Sequence, residues 1–255
     1  MAAGAMTMTV GAVVLLAAMV TLSSATEFAQ QLRKCRVDNK EKLNSCLNQT
    51  LHDLRPFLPT GIPELSLPPL EPMQIPSIEF RQGQGAVTIK STFTQVKVTG
   101  LSNYSTTSIN ADPVQQVLTV GLHVPEMMIT GLYKLDGRLF LFPVRGSGDF
   151  WANFKGVDAT GTSQLSVETQ ADGSDRLRVT NTDIDFTIEH LRMHLSDLFN
   201  GDPLLGRAVN RFINDNGREI LREVKPQVVV RLNDMVQKVM NDALSQLPVS
   251  AFLVA

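Results

Sequence analysis

The spacing of apolar residues changes period twice along the chain. Leu43, Cys46, Leu47, Leu51 and Leu54 recur three and four positions apart, which marks one apolar helix face. Asp38 or Asn39 can cap that helix, and Pro56 and Pro59 end it. From Gly85 to about Leu195 the period becomes two. Val87, Ile89 and Phe93 alternate with polar residues, and the phase then slips to Val96 and Val98, which implies a bulge. Alternation resumes at Leu118, Val120, Leu122 and Val124 and again at Phe150, Ala152 and Phe154. Asp136-Gly137, Gly146-Ser147-Gly148, Gly156, Gly161 and Asp172-Gly173 read as turns between these strands. Asn181 to Asp183 reads as a hairpin turn. No helix-length segment interrupts the run, so the sheet is expected to be antiparallel.

From Leu204 the helical period returns. Val209, Phe212, Ile213, Ile220, Val224, Val228, Leu232, Val236 and Val239 form a stripe that continues to about Gln246. Asp202-Pro203 supplies a cap and a first-turn proline, and a kink is expected at Pro226. One helix over that span would measure roughly 65 Å. It needs an equally long apolar partner, and the antiparallel sheet is the candidate. The expected fold is therefore α+β: a single elongated domain in which a strongly curved sheet wraps a long C-terminal helix. Such a wrap can leave an elongated apolar space.

Between the first helix and the sheet lies GIPELSLPPLEPMQIPSIEF, Gly61 to Phe80. Its prolines stiffen the backbone and favour extended geometry. Ile62, Leu65, Leu67, Leu70, Ile75 and Ile78 need cover, so the run is expected to lie on the protein body as a strap.

Composition adds the compartment. The formal net charge of −2 gives no reason to expect a nucleic-acid partner. Residues 1–25 carry no charged side chain, and Thr9 to Leu22 is apolar over about the length of a signal-peptide core. Ser23-Ser24-Ala25 supplies the small residues of a cleavage site. A membrane anchor is the competing reading, but the run is short of the roughly 20 residues a span requires. The expectation is a signal peptide over 1–25 and one secreted, extracellular, soluble domain over 26–255. Cys35 and Cys46, the only cysteines, then form one disulfide; two free buried thiols are the alternative. Asn48 and Asn103 each open an Asn-x-Ser/Thr glycan acceptor.

Catalytic constellations are weak. His190 and His194 have zinc-protease spacing, but Leu191 stands where a general-base Glu is needed, and the local alternation is that of a strand. Arg145-Gly146-Ser147-Gly148 lacks the spacing of a nucleophile elbow. The expectation is no enzyme, no metal and no cofactor.

Several longer motifs occur together: the N-terminal cysteine pair, GIPELSLPPLEP, KVTGLSNY (Lys97 to Tyr104), YKLDGRLFLFPVRGSG (Tyr133 to Gly148) and LFNGDPLLGRAVNRFINDNGREI (Leu198 to Ile220). With these the chain resembles the insect takeout and juvenile-hormone-binding protein family over essentially all of 26–255, and its single disulfide resembles the takeout-type members. The resemblance implies a long helix in a curved sheet and a carrier of a small hydrophobic ligand in an internal tunnel: juvenile hormone, another terpenoid, a fatty acid or an odorant; the expected state is a monomer. It also implies circadian or feeding-related signalling. The other reading is a signalling glycoprotein that acts through a protein receptor, its cavity occupied structurally. On the carrier reading Phe140, Phe142, Phe154, Phe212 and Val228 are candidate walls. Tyr133 is a candidate polar contact, Leu47 and Leu51 an end gate, and Trp151 a rim residue. Plain core packing is the alternative at each.

Overall fold

The computed structural model describes residues 32–82, 87–139 and 142–254. The expected signal segment and Phe140 lie outside the described residues, as does the side chain of Phe142. Strand β1 (Cys35–Arg36) leads into helix α1 (Lys40–Leu54). Asn39 is the cap, its side chain accepting from the Lys42 N–H. Then come β2 (Met73–Gln82), β3 (Val87–Thr99), β4 (Ser105–Asp112), β5 (Val117–Leu139), β6 (Phe142–Thr169) and β7 (Asp175–Leu195). Helices α2 (Pro203–Asp215) and α3 (Gly217–Leu244) follow, and β8 (Leu253–Val254) ends the chain.

Strands β2 to β7 form one antiparallel sheet in the order β2-β3-β5-β6-β7, with β4 also paired to β5. β5 is long enough to pair with β3 through Met128–Leu139 and with β4 through Val117–His123. β1 and β8 pair in parallel, and the Cys35–Cys46 disulfide ties that pair to α1.

Most expected turns are not turns. β5, β6 and β7 contain 23, 28 and 21 residues and run straight through Asp136-Gly137, Gly146 to Gly148, Gly156, Gly161 and Asn181 to Asp183. Only Asp172-Gly173 reverses the chain. The glycines mark close approach instead. A Cβ on Gly146 would sit 2.8 Å from the Tyr133 hydroxyl, and one on Gly148 would sit 2.4 Å from Ser196 Oγ. The phase change near Asn181 is a bulge, where the β6–β7 register shifts between Gln164 and Leu165. The expected bulge in β3 is present between Thr94 and Lys97.

A second irregularity crosses three strands at one level. Val124 pairs with Val157 and Val157 with Ile188, whereas the next aligned row is Glu126, Lys155 and His190. Pro125, Gly156 and Glu189 are left unpaired while the register holds, and burial passes there from Val124, Val157 and Ile188 to Met127, Phe154 and Leu191, so the inward phase changes on all three strands together. Gly156 takes φ +60 there, beneath the Glu189 side chain. A strand-interior glycine of this kind marks a tight bend in a sheet.

The single C-terminal helix is corrected to two. The break falls at Asn216 (φ −113, ψ 19), not at Pro226, which lies exposed inside α3. Gly217, the first residue of α3, is buried beside Leu191. The strap is corrected as well. Ile62 and Leu65 are buried against Leu247, but Pro63–Leu65 is a short 3-10 turn, and from Met73 the run is edge strand β2.

Candidate functional site

Helix α3 lies along edge strand β7, and side-chain amides form the seam. Asn210 on α2 accepts from the Leu195 N–H and donates to the Leu195 carbonyl. Asn214 does the same for Met193, at 2.9 Å in both directions. On α3, Asn233 accepts from the Ile184 N–H, and Asn241 both accepts from the Val179 N–H and donates to the Val179 carbonyl. Gln237 donates to the carbonyls of Val179 and Thr180. Four helical residues rise about 6 Å and two strand residues about 6.6 Å, so amides spaced by four meet alternate strand residues. The helices thus satisfy an edge that would otherwise be open. Lys225 adds an ion pair to Asp185 at 2.5 Å, and it holds the Asp185 carboxyl below the ordinary carboxylate range.

The apolar stripe of α3 turns away from solvent but stays incompletely covered. Val224, Val228, Leu232, Val236, Val239 and Met240 are all half-buried. Three successive inward positions of β6, between Val157 and Leu165, are small: Ala159, Gly161 and Ser163. A Cβ on Gly161 would find, among the described residues beyond its chain neighbours, one atom within 4 Å, Ile184 Cγ1 at 3.7 Å. Small residues on the wall opposite a half-covered apolar helix face are the arrangement that an apolar groove inside the sheet would need. Ser163 and Thr182, cross-strand neighbours in that wall, are buried at 5% and 4% exposure.

Three of the buried clusters gather other side chains. One gathers Val96, Tyr133, Phe150, Leu195, Leu198 and Ile213, with Phe212 packed on it. Another joins Cys35, Leu43 and Ala111, with Leu47 and Cys46 packed on it. A third joins Tyr104, Val124 and Val157 at the bend, with Phe154 packed on it.

The residues singled out by sequence therefore separate. Val228 is on the groove stripe. Phe154 is half-buried at the bend, and Phe212 belongs to the α2 end. Tyr133 is buried in that end cluster and donates its hydroxyl to the Ser196 carbonyl. Burial, with the Asp197 carboxylate nearby, pushes its phenol up to about 12. Leu51 offers its carbonyl to the Tyr104 hydroxyl at 3.1 Å. Trp151 is on the outer face, stacked on its cross-strand neighbour His194, so it is not a rim residue of the groove. Asn48 and Asn103 are exposed.

Sequence reasoning missed the amide seam. Its signal was present: Asn210/Asn214 and Asn233/Gln237/Asn241 repeat every four residues beside the apolar stripe. It also missed Glu71, which accepts from the N–H groups of Gly100 and Ser102 and from the Ser102 hydroxyl, and so holds the β3–β4 connection.

A hollow of about 480 Å³ is lined by Asn153, Lys155, His190, Leu191 and Arg192, and one of about 290 Å³ by His52, Arg55, Pro56, Pro59, Ser102 and Asn103. Neither includes the residues expected to bind a ligand. Among the described residues no group of three or more His, Cys, Asp or Glu is placed to hold a metal ion, and no helix is long and apolar enough to cross a membrane.

Known proteins supply the family. The crystal structure of Epiphyas postvittana Takeout 1 superposes with a TM-score of 0.77 at 18% identity, covering 88% of this chain and all of that one. That likeness shows the fold, a curled antiparallel half-barrel with C-terminal helices. The circadian clock-controlled protein daywake of Drosophila yakuba is 20% identical over 92% of this chain and 91% of its own length. Daywake of Drosophila melanogaster is 23% identical over 79% and 78%. The family model described as haemolymph juvenile hormone binding protein matches residues 13–254, and the chain belongs to that family.

Proposed function

We propose that the protein is a secreted carrier that holds one small hydrophobic molecule in the groove between α3 and the inner face of β5 to β7. The observation that carries this reading is the half-buried stripe of α3 facing the small residues of β6. Enclosing about fifteen carbons of a guest contributes roughly 12 kcal/mol gross at ~0.8 kcal/mol per methylene. Loss of motion consumes a large share, and micromolar or tighter binding remains.

Val228 and Phe154 are proposed as wall residues. Leu47 and Leu51 would close one end and Phe212 the other. Phe140 and Phe142 stay in the proposal from sequence alone. The ligand class is a terpenoid such as juvenile hormone, a fatty acid or a similar lipid, and the names of the daywake relatives favour a clock-linked role. Native mass spectrometry of protein purified from its source is the test. An exchangeable small hydrophobic molecule supports carriage. Absence of any guest, together with no uptake of N-phenyl-1-naphthylamine, contradicts it and favours action through a protein receptor.

A further inference from the structure

The inner wall carries a polar spot that neither the fold nor the seam uses. Ser163 and Thr182 face each other across β6 and β7, both buried. Thr182 Oγ1 has no hydrogen-bond partner, and Ser163 Oγ donates to Met240 Sδ at 3.8 Å. A buried hydroxyl left unpaired costs about 1–3 kcal/mol, and Val would fill the same space at Thr182 without that cost. By contrast, Asn210, also a buried polar residue, makes three hydrogen bonds.

Resting on the carrier reading, we infer that Ser163 and Thr182 are the polar anchor of the guest. They take a single neutral oxygen-bearing group (hydroxyl, carbonyl or ether) at one end of an apolar chain. Met240 covers the Ser163 hydroxyl when no guest is present. Its unbranched thioether rotates aside readily, and the guest's oxygen replaces a weak O–H···S contact with a stronger bond. The neighbouring inward residues, Gly161, Leu165, Val179 and Ile184 on the strands and Val236 on α3, are uncharged. The lysines of α3, Lys238 and Lys225, are paired with Asp242 and Asp185. A carboxylate would lose its hydration with only hydroxyls in return, so the anchor discriminates against ionised fatty acids.

The test uses the full chain, with N-phenyl-1-naphthylamine as the reporter and 1-dodecanol and dodecanoate as chain-matched competitors at about pH 8, where the acid is ionised. The native protein should prefer dodecanol by at least about tenfold. The Thr182→Val/Ser163→Ala double variant should lose about that factor for dodecanol while still binding the reporter. Thr182→Val alone should melt no lower than the native protein when empty, because its hydroxyl has no partner to lose. Unchanged dodecanol affinity in a double variant that still takes up the reporter overturns the anchor and leaves the carrier intact. Equal affinity of the native protein for dodecanol and dodecanoate also overturns it. Failure of the native protein to bind the reporter at all removes the carrier reading, and the anchor with it.

Discussion

Gln227 on α3 donates its side-chain amide to the carbonyl of Arg81 on β2, 2.9 Å away and 146 residues distant in sequence. β2 is one edge of the sheet, and β7, clasped by Asn233 and Asn241, is the other. The helix therefore touches both edges, and the curled sheet and α3 together bound the space proposed for the guest. Gln227→Ala removes one bond of the β2 seam and should cost about 0.5–1.5 kcal/mol of stability. Its larger effect should be on guest release, measured by stopped-flow displacement, with dissociation faster than in the native protein.

The β7 seam is the stronger of the two. Asn210 is buried at 8% exposure and satisfies both backbone groups of Leu195. Asn210→Ala leaves a buried N–H and carbonyl unpaired, and about 2–4 kcal/mol of unfolding free energy should be lost. Urea denaturation reads this as a lower midpoint. Asn241→Ala, at a half-buried site, should cost less.

Acid should loosen the strap. Burial raises the carboxyl pKa of Glu71, but hydrogen bonds from the Ser102 and Gly100 N–H groups and the Ser102 hydroxyl outweigh it, and the net shift is downward from 4.5. A depressed folded pKa means that the stabilisation is complete above 4.5 and is lost as pH falls below that value through the folded pKa. Melting temperature against pH should therefore drop more steeply below pH 4.5 in the native protein than in Glu71→Gln, which starts lower and lacks this component.

Intrinsic fluorescence is expected to be blind to the guest. Trp151, the only tryptophan, is 40% exposed and stacked on His194 outside the sheet. Saturating the groove with a non-fluorescent lipid should leave its emission maximum in place. A shift on binding would mean that the guest reaches the outer face.

Period and spacing carried the class of fold because they record burial directly. The two-residue period found the strands, the proline run found the buried Ile62 and Leu65, and the long stripe found the helical face against the sheet. What they could not separate was a turn from a bulge or a close approach, since each asks for glycine or a phase slip. Gly146, Gly148 and Gly156 look like turn residues until the Tyr133 hydroxyl, Ser196 and Glu189 are seen above them. Pro226 looked like the break because proline removes a helical hydrogen bond, yet the chain breaks one residue before Gly217. In the site, apolarity pointed to the α3 stripe but ranked large side chains above small ones. Phenylalanines were expected to form the walls, and the groove proposed here adds Ala159 and Gly161, which no apolar pattern singles out. A groove is made by residues that leave volume unfilled, and composition gives them no mark.

The most direct measurement of the central claim is reporter binding to Gly161→Leu beside the native protein, with a melting curve for each. If the space over Gly161 is empty and receives the guest, leucine fills it: N-phenyl-1-naphthylamine affinity should fall by at least about tenfold while the melting temperature holds or rises. Native-like binding by Gly161→Leu would place the guest elsewhere. A variant that loses stability, as overpacking of a filled core does by about 1–3 kcal/mol, would show that no groove is there.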